Sequence, residues 1–209
     1  MKLYDCRTAP SPRRVRIFAA EKGIELDKVE VDLSAGEQFS DAYRATNPDC
    51  VVPVLELDDG TIISEVVAIS HYLEEVYPEP ALFGRSPQER AVALEWNTKV
   101  EQHGLAHIRD AFRNYAKGLQ GRALTGPVSF EQIPELVERG RVGTKAFFER
   151  LDTQLAQSDF ITGAAYSIAD ITALVFVDFA AWVKLSVPED LENMKRWYSV
   201  VSTRPSARA

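Results

Sequence analysis

Residues 47–69 read NPDCVVPVLELDDGTIISEVVAI, and this stretch decides the fold. Two short apolar runs flank an Asp-Asp-Gly turn at residues 58–60, which predicts a β-hairpin with a tight turn. A helical pattern begins directly after the second run, near Ser64 and Glu65. Pro53 stands at the mouth of the first strand, and Glu65 stands at the start of the helix. A structural hairpin needs neither residue type there, so we ask whether the two residues hold a small molecule.

The residues before the hairpin predict an alternation of strands and helices. Residues 2–4 form a short strand, and a helix begins at Ser11, a good N-cap that Pro12 follows at the first helical position. That helix ends at Gly23, and residues 28–33 alternate polar and apolar side chains, which indicates a strand with one buried face. With a weakly helical segment before the hairpin, the order is β-α-β-α-β-β-α. Because a helix joins the first two strands, we expect them to be parallel.

A proline-containing segment separates this pattern from a purely helical one. A capping box, Ser-Pro-Gln-Glu at residues 86–89, opens a long helix that runs toward Asn114. A second capping box at residues 167–170 opens a helix that is apolar on most sides, which is typical of the buried centre of a helical domain. The sequence therefore predicts an α/β domain, a linker and an all-helical domain, at residues 1–79, 80–87 and 88–209.

Composition and charge exclude several classes of protein. The net charge of −7 over 209 residues argues against a general nucleic-acid binder, which needs a basic surface. Residues 171–185 are the longest apolar stretch, and Asp178 and Lys184 interrupt it, so we expect no membrane span. The first residues turn polar too early for a signal peptide. Cys6 and Cys50 form no CxxC pair and lack metal-ligand spacing, so we expect reduced thiols in the cytoplasm and no metal site.

The whole chain resembles the cytosolic glutathione transferases, and its first helix resembles a bacterial and fungal branch with an Ala-Pro-Ser-Pro start. The segments that carry the resemblance are NPDCVVPVLELDDGTIISEVVAISHYLEEVYP, SPRRVRIFAAEKGIE and YSIADI. The resemblance implies a thioredoxin-like N-terminal domain that binds glutathione. It also implies a helical domain that supplies a pocket for a small hydrophobic electrophile, and a homodimer.

The resemblance also implies which residues contact glutathione. Pro53 is expected to be cis and to expose the backbone of Val52, which pairs with the cysteinyl part of glutathione like an added strand. Glu65 is expected beside the γ-glutamyl group, where the helix N-terminus at Val66 donates N–H groups to its carboxylate. Gln38 is expected at the glycyl end. From the residues alone, an edge-strand proline and a first-turn glutamate that favours the helix dipole also explain Pro53 and Glu65.

Two residues depart from the pattern of the family. The family usually has Glu-Ser where this chain has Glu65-Val66, and the serine hydroxyl donates to the γ-glutamyl carboxylate. Losing a hydrogen bond to a charged group costs about 1.5–3 kcal/mol, so we expect weakened rather than abolished binding through the remaining N–H of Val66. Cys50 replaces the usual glycine of Asn-Pro-x-Gly-x-Val-Pro. If that position needs a positive φ, a cysteine there strains the loop.

The group that favours the glutathione thiolate is the least determined part of the pattern. Ala9 stands where serine-type branches carry their hydroxyl, and Thr8 and Ser11 flank it. Ser11 either donates to the thiolate or caps the first helix. A held water or a donor from the helical domain is the other possibility, and His103 and His107, one helical turn apart, are the candidates. Two histidines on an exposed helix are more often solvated.

The electrophile pocket is expected on the long helix of the second domain. Trp96 and Phe112, with His103 and His107, are its candidate residues, and packing within the helical core is the alternative role for the two aromatic side chains. Cys6 follows the first strand, where a buried structural thiol is favoured over a nucleophile.

The sequence therefore favours a glutathione transferase that joins the glutathione thiolate to a small hydrophobic electrophile. A protein of the same fold that binds or regulates with little catalysis is the rival hypothesis, which Val66 and the unassigned thiol activator favour. A glutathione-dependent reductase or isomerase that uses a cysteine is the weakest, because the chain has no CxxC pair.

Overall fold

The computed structural model describes residues 1–209, which form two compact units. The first unit comprises Met1–Pro80, Leu124–Ser129 and Ala209, and the second comprises Ala81–Ala123 and Phe130–Arg208. None of the helices combines the length and the apolar character that crossing a membrane requires.

The first unit is built on a four-stranded mixed sheet with the strand order β2-β1-β3-β4. Its elements in chain order are β1 Lys2–Asp5, α1 Pro10–Glu21, β2 Asp27–Glu30, α2 Asp41–Thr46, β3 Val54–Glu56, β4 Ile62–Ser64 and α3 Val66–Val76. Strand β1 pairs with β2 in parallel and with β3 in an antiparallel register. The predicted element order and the parallel crossover are therefore confirmed.

The core of this unit forms where the sheet meets α1 and α3, which pack against each other. Leu3 and Leu55 of the sheet, Phe18 of α1 and Leu73 of α3 are completely buried, and such burial of each side chain contributes about 1.5–3 kcal/mol. Strand β2 differs from the prediction: all four of its residues are exposed, and the buried Val31 follows its end. Strand β2 lies at the edge of the sheet, so only one of its sides has a neighbouring strand. Of the alternating apolar residues at 28–33, Val31 is the one that reaches the core.

The second unit is entirely helical. Its helices are α4 Pro87–Val100, α5 Ala106–Tyr115, α6 Glu135–Leu155, α7 Ile168–Ala180 and α8 Glu192–Ser202. A π-helical segment, Glu101–Leu105, connects α4 to α5, so the predicted long helix is continuous through Asn114. Gly104 lies in this segment against Phe147, and a Cβ at Gly104 would approach the ring to 3.0 Å. Helix α5 packs on α6, and α4 packs on α7.

Helix α7 is the predicted buried centre of this unit. Asp170 in its first turn is completely buried, and it accepts hydrogen bonds from the N–H and the hydroxyl of Ser167 at 3.0 and 2.9 Å. It also accepts from the N–H of Ile161 at 3.0 Å and from Trp197 Nε1 at 2.8 Å. Burial raises the pKa of this carboxyl despite its four donors. The second capping box is thus a closed polar network inside the core.

Candidate functional site

The loop from Asn47 to Pro53 presents an unengaged stretch of backbone. The Val52–Pro53 peptide bond is cis, as the resemblance implied. No hydrogen bond within the chain engages the N–H or the C=O of Val52, which lies outside the paired strand β3. Because Val52 is only half-buried, an extended ligand can reach these two groups and pair with them as a further strand would.

Two side chains that sequence reasoning missed support this loop. Tyr43 donates its hydroxyl hydrogen bond to the carbonyl oxygen of Val51 at 2.7 Å, and Asn47 donates to the same oxygen at 2.9 Å. Burial raises the pKa of Tyr43 to about 12, so its hydroxyl stays protonated. The Asn-Pro dipeptide indicates a turn in the sequence, but nothing local to Tyr43 indicates that its hydroxyl reaches residue 51.

Cys50 has a φ of 54°, in the left-handed region that favours glycine. The condition for strain at this position is therefore met. The thiol is 3% exposed and donates to the carbonyl oxygen of Pro48 at 3.4 Å. A left-handed backbone at a residue with a Cβ costs about 1–2 kcal/mol, and the surrounding loop holds it in place.

The start of α3 is open to solvent. Glu65 is its N-cap, with a φ of 70°, and neither it nor another side chain caps the helix. The Glu65 carboxylate is exposed, whereas Val66, the first helical residue, is 4% exposed and packs inward. The first-turn N–H groups and the exposed carboxylate are thus both available to a ligand that carries opposite charges.

Gln38 lies in a short 3₁₀ turn, Glu37–Phe39, of the same unit. Its side chain is 7% exposed, and its Oε1 is buried without a hydrogen-bond partner. A buried amide oxygen without a donor costs about 1–3 kcal/mol, so this oxygen calls for a donor from outside the chain.

The prediction that Ser11 caps the first helix is wrong. Helix α1 begins at Pro10, and its N-cap is Ala9, which makes no side-chain hydrogen bond. Proline suits the first helical position because its φ is already helical and it has no N–H that needs a partner. Pro10 and Pro12 both lack an N–H, so Ser11 is the only one of the first three helical residues that carries both an N–H and a hydroxyl. Ser11 is half-buried.

Thr8 and Cys6 lie in the loop that precedes α1. Thr8 is exposed, and its hydroxyl lies 3.5 Å from the sulfur of Cys6, which is itself 6% exposed. The buried Arg16 pairs with Asp5 and donates to the carbonyl oxygens of Cys6 and Arg7 at 3.4 and 2.9 Å. A buried ion pair thus fixes the backbone of this loop from inside the unit.

The aromatic candidates of the second unit both take part in ring contacts. Trp96 is 9% exposed, with the ammonium of Lys99 4.5 Å from its ring centroid. Phe112 is half-buried in an aromatic cluster, with ring centroids 5.4 Å from Phe179 and 5.1 Å from the exposed Trp182. Packing explains Trp96 well, while the cluster around Phe112 keeps an exposed edge.

The two histidines of the long helix face α6. His103 is exposed, with its ring centroid 6.3 Å from that of Phe147. His107 is half-buried, and its ring occupies the space beside Gly143, where a Cβ would come within 2.5 Å of it. Burial lowers the pKa of His107, which favours the neutral imidazole, a form that can accept a proton.

Comparison with known proteins identifies the family of this chain. The family model of the glutathione S-transferase N-terminal domain matches residues 8–76, and that of the C-terminal domain matches residues 107–205. Glutathione S-transferase 2 of Saccharomyces cerevisiae is 36% identical over an alignment of 211 residues, which covers 100% of this chain and 88% of that protein. This chain belongs to the glutathione S-transferase family.

Solved structures of glutathione S-transferases resemble the fold over its whole length. A glutathione S-transferase domain-containing protein of Marinobacter aquaeolei VT8 is 37% identical with a TM-score of 0.90, and 99% of each chain is covered. Gtt2 of Saccharomyces cerevisiae is 36% identical with a TM-score of 0.90, with 100% of this chain and 99% of that chain covered. Membership of this transferase family confirms the resemblance and the thioredoxin-like and helical domains. The general activity of the family is conjugation of glutathione to electrophiles.

The described residues include no cluster of three or more His, Cys, Asp or Glu side chains that could hold a metal ion. The glutathione candidates Gln38, Val52, Pro53, Glu65 and Val66 all belong to the first compact unit, together with Thr8 and Ser11. The electrophile candidates Trp96, His103, His107 and Phe112 all belong to the second.

Proposed function

We propose that this protein joins the thiolate of reduced glutathione to a small hydrophobic electrophile. The observation that carries the proposal is the unengaged backbone of Val52 beside the cis bond to Pro53. An uncapped helix start with the exposed Glu65 carboxylate lies in the same unit. Backbone pairing and opposite charges at a helix start are the two features that a peptide with a free amine and a free carboxylate requires.

In this proposal, four residues bind glutathione. The N–H and C=O of Val52 pair with the cysteinyl residue, and the Glu65 carboxylate binds the γ-glutamyl ammonium. The N–H of Val66 donates to the γ-glutamyl carboxylate. The glycyl N–H of glutathione supplies the donor that the buried Oε1 of Gln38 lacks.

Thiolate stabilisation is assigned to Ser11 ahead of Thr8. Ser11 offers a hydroxyl and an N–H at the positive end of α1, and it is not occupied as a cap. Thr8 shares its hydroxyl with the sulfur of Cys6. The thiol proton leaves to water, the sulfur lone pair forms a C–S bond with the electrophile, and the leaving group departs with its bonding electrons.

The electrophile pocket, the oligomeric state and the location complete the proposal. Phe112, Trp96, His103 and His107 contact the electrophile. The protein acts as a cytoplasmic homodimer in detoxification, as the resemblance implies.

A second candidate is a protein of this family that binds a ligand or partner without catalysis. Two observations favour it: the buried Val66 offers no hydroxyl, and Ala9 stands at the N-cap of α1. A cysteine-dependent isomerase or reductase is less supported, because both thiols are buried.

Calorimetric titration with reduced glutathione at neutral pH tests the proposal, with a chlorodinitrobenzene conjugation assay as the second step. Binding in the micromolar-to-millimolar range with turnover supports the transferase. Binding without turnover of several electrophile classes supports the second candidate. No heat of binding and no thermal stabilisation at several millimolar glutathione would refute glutathione recognition. Ser11→Ala should lower turnover with little change in affinity, and Ser34→Ala, at an exposed turn, is its control.

A further inference from the structure

The carbonyl oxygen of Val51 is the most heavily bonded point of the loop that carries the cis bond. Tyr43 and Asn47 both donate to it, at 2.7 and 2.9 Å, and their side chains are 5% and 3% exposed. Two donors fill both lone pairs of that oxygen. The direction of this carbonyl is therefore fixed from inside the unit.

The geometry of the peptide bond passes this direction on to Val52. The bond between Val51 and Val52 is trans, so the C=O of Val51 and the N–H of Val52 lie in one plane and point in opposite directions. Holding the carbonyl toward Tyr43 and Asn47 turns the N–H of Val52 away from them. That N–H makes no hydrogen bond within the chain.

We propose that Tyr43 and Asn47 are positioning residues that aim the N–H of Val52 at the bound peptide. The inference rests on the proposed function, in which Val52 receives the cysteinyl backbone of glutathione. Preorganising a donor in this way improves affinity because the ligand need not pay for ordering the loop. The two residues touch Val51 and not the ligand, so they act through the backbone.

Further contacts tie the pair to the fold. Asn47 accepts from the N–H of Asp49 at 3.2 Å, and its own carbonyl accepts from the N–H of Cys50 at 3.0 Å. The ring of Tyr43 meets the ring of Tyr4, on the central strand β1, edge to face at 6.0 Å between centroids. These contacts thus hold the loop in a fixed position against the sheet.

Tyr43→Phe tests the inference with the smallest change in shape. Loss of one neutral hydrogen bond should raise the Kd for reduced glutathione by about 3- to 10-fold, read by calorimetry. Tyr198→Phe is the control, because it also removes a tyrosine hydroxyl, a half-buried one that donates at 2.6 Å to Asp178 in the second unit. We expect a loss of thermal stability in both variants and an unchanged Kd in the control alone. With turnover measurable, KM for glutathione should rise while kcat at saturation stays constant.

Asn47→Asp gives a signature that a merely structural role would not produce. At neutral pH the introduced carboxylate cannot donate to the Val51 oxygen, so the Kd should rise by at least as much as in Tyr43→Phe. Burial raises the pKa of the introduced carboxyl, and its protonated form donates again. Glutathione affinity relative to that of the unmodified protein should therefore recover as the pH falls from 7 to 5. The other titratable groups that face Tyr43, namely Glu37, Tyr4 and Cys50, are present in both proteins.

Amide hydrogen exchange on the unmodified protein tests the inference without requiring that a variant folds. Bound glutathione should slow exchange at the N–H of Val52. The inference is overturned if that N–H exchanges equally fast with saturating glutathione, or if both variants bind glutathione as tightly as the unmodified protein. Failure of the unmodified protein to bind glutathione refutes the proposed function instead, and with it the premise of the inference.

Discussion

Helices α3 and α7 begin in opposite ways. The start of α7 is closed by its own chain, since the buried Asp170 accepts from Ser167, Ile161 and Trp197. The start of α3 is left open, since the exposed Glu65 at a φ of 70° makes no capping hydrogen bond. At α7 the hydrogen-bond donors around the helix start have acceptors inside the core. At α3 the N–H groups of the first turn are left without a side-chain acceptor and can bind a ligand.

A missing cap does not identify a binding site by itself. Helices α1 and α6 also begin at N-cap residues that make no side-chain hydrogen bond. What distinguishes α3 is the exposed carboxylate on a residue in the left-handed region, within the unit that carries the unengaged backbone of Val52. The comparison therefore teaches that openness marks a site only where several unsatisfied groups occur together.

The largest effect is expected at the closed start. Asp170→Ala leaves several buried donors without an acceptor, so the free energy of unfolding should fall by about 3–5 kcal/mol. Chemical denaturation measures it. Asp178→Ala on the same helix, which loses the half-buried contact with Tyr198, should cost about 1 kcal/mol. Equal costs for the two variants would contradict the special role of the closed network.

Substitution of Glu65 tests the open start. Glu65→Ala should weaken glutathione binding by about 1.5–3 kcal/mol, because the γ-glutamyl ammonium loses its charged acceptor. Glu65→Gly should lose the same affinity, yet it should be more stable than Glu65→Ala by about 1 kcal/mol, because glycine tolerates the φ of 70°. Calorimetry and denaturation separate the two quantities. Retained affinity in both variants would remove Glu65 from the site.

Val66→Ser restores the hydroxyl that the family usually has at this helix start. Glutathione affinity should improve about tenfold, while stability falls by about 1–2 kcal/mol because buried methyl groups are lost at a position 4% exposed. The half-exposed Val67 provides the control, since Val67→Ser should leave affinity unchanged. If Val66→Ser binds no better, the hydroxyl does not face the ligand.

Substitution of Cys50 tests the cost of the second residue of the site that has a left-handed backbone. Cys50→Gly should be more stable than Cys50→Ala by about 1 kcal/mol, because both remove the thiol and only alanine keeps the Cβ at a φ of 54°. Cys6 is the matched control: it is also buried but is not in the left-handed region, so its alanine variant should be the more stable one. Thermal unfolding of the four variants ranks them.

The smallest effect on stability is expected at the start of α4, which a solvent-exposed capping box closes. Glu89 accepts from the N–H groups of Ser86 and Arg85 at 3.0 and 2.7 Å, and these hydrogen bonds lower its pKa below 4.5. A lowered pKa gives stability that is present above pH 4.5 and is lost as the pH falls through the folded pKa. Melting temperatures should therefore drop less for Glu89→Gln than for the unmodified protein when the pH falls from 5 to 3. Parallel pH profiles would contradict this.

Much of the fold follows from local pattern. The hairpin after residue 47, the two capping boxes and the long helix toward Asn114 each depend on residues close in sequence, and each is present. The alternation along residues 28–33 predicts a half-buried strand, but β2 is exposed, because alternation does not reveal which strand lies at the edge of a sheet. The sequence also predicts Ser11 as the cap where the structure has Ala9, because Pro10 and Pro12 both suit a first helical position.

The sequence by itself determined the order of elements, the proline at the mouth of β3 and the carboxylate before α3, because turn, capping and periodicity signals act over a few residues. Only the tertiary structure decided that Tyr43 and Asn47 meet at one carbonyl and that the oxygen of Gln38 is left without a donor. Hydrogen-bond direction and burial depend on the three-dimensional course of the chain and on packing around it, which the periodicity, turn and capping signals do not encode.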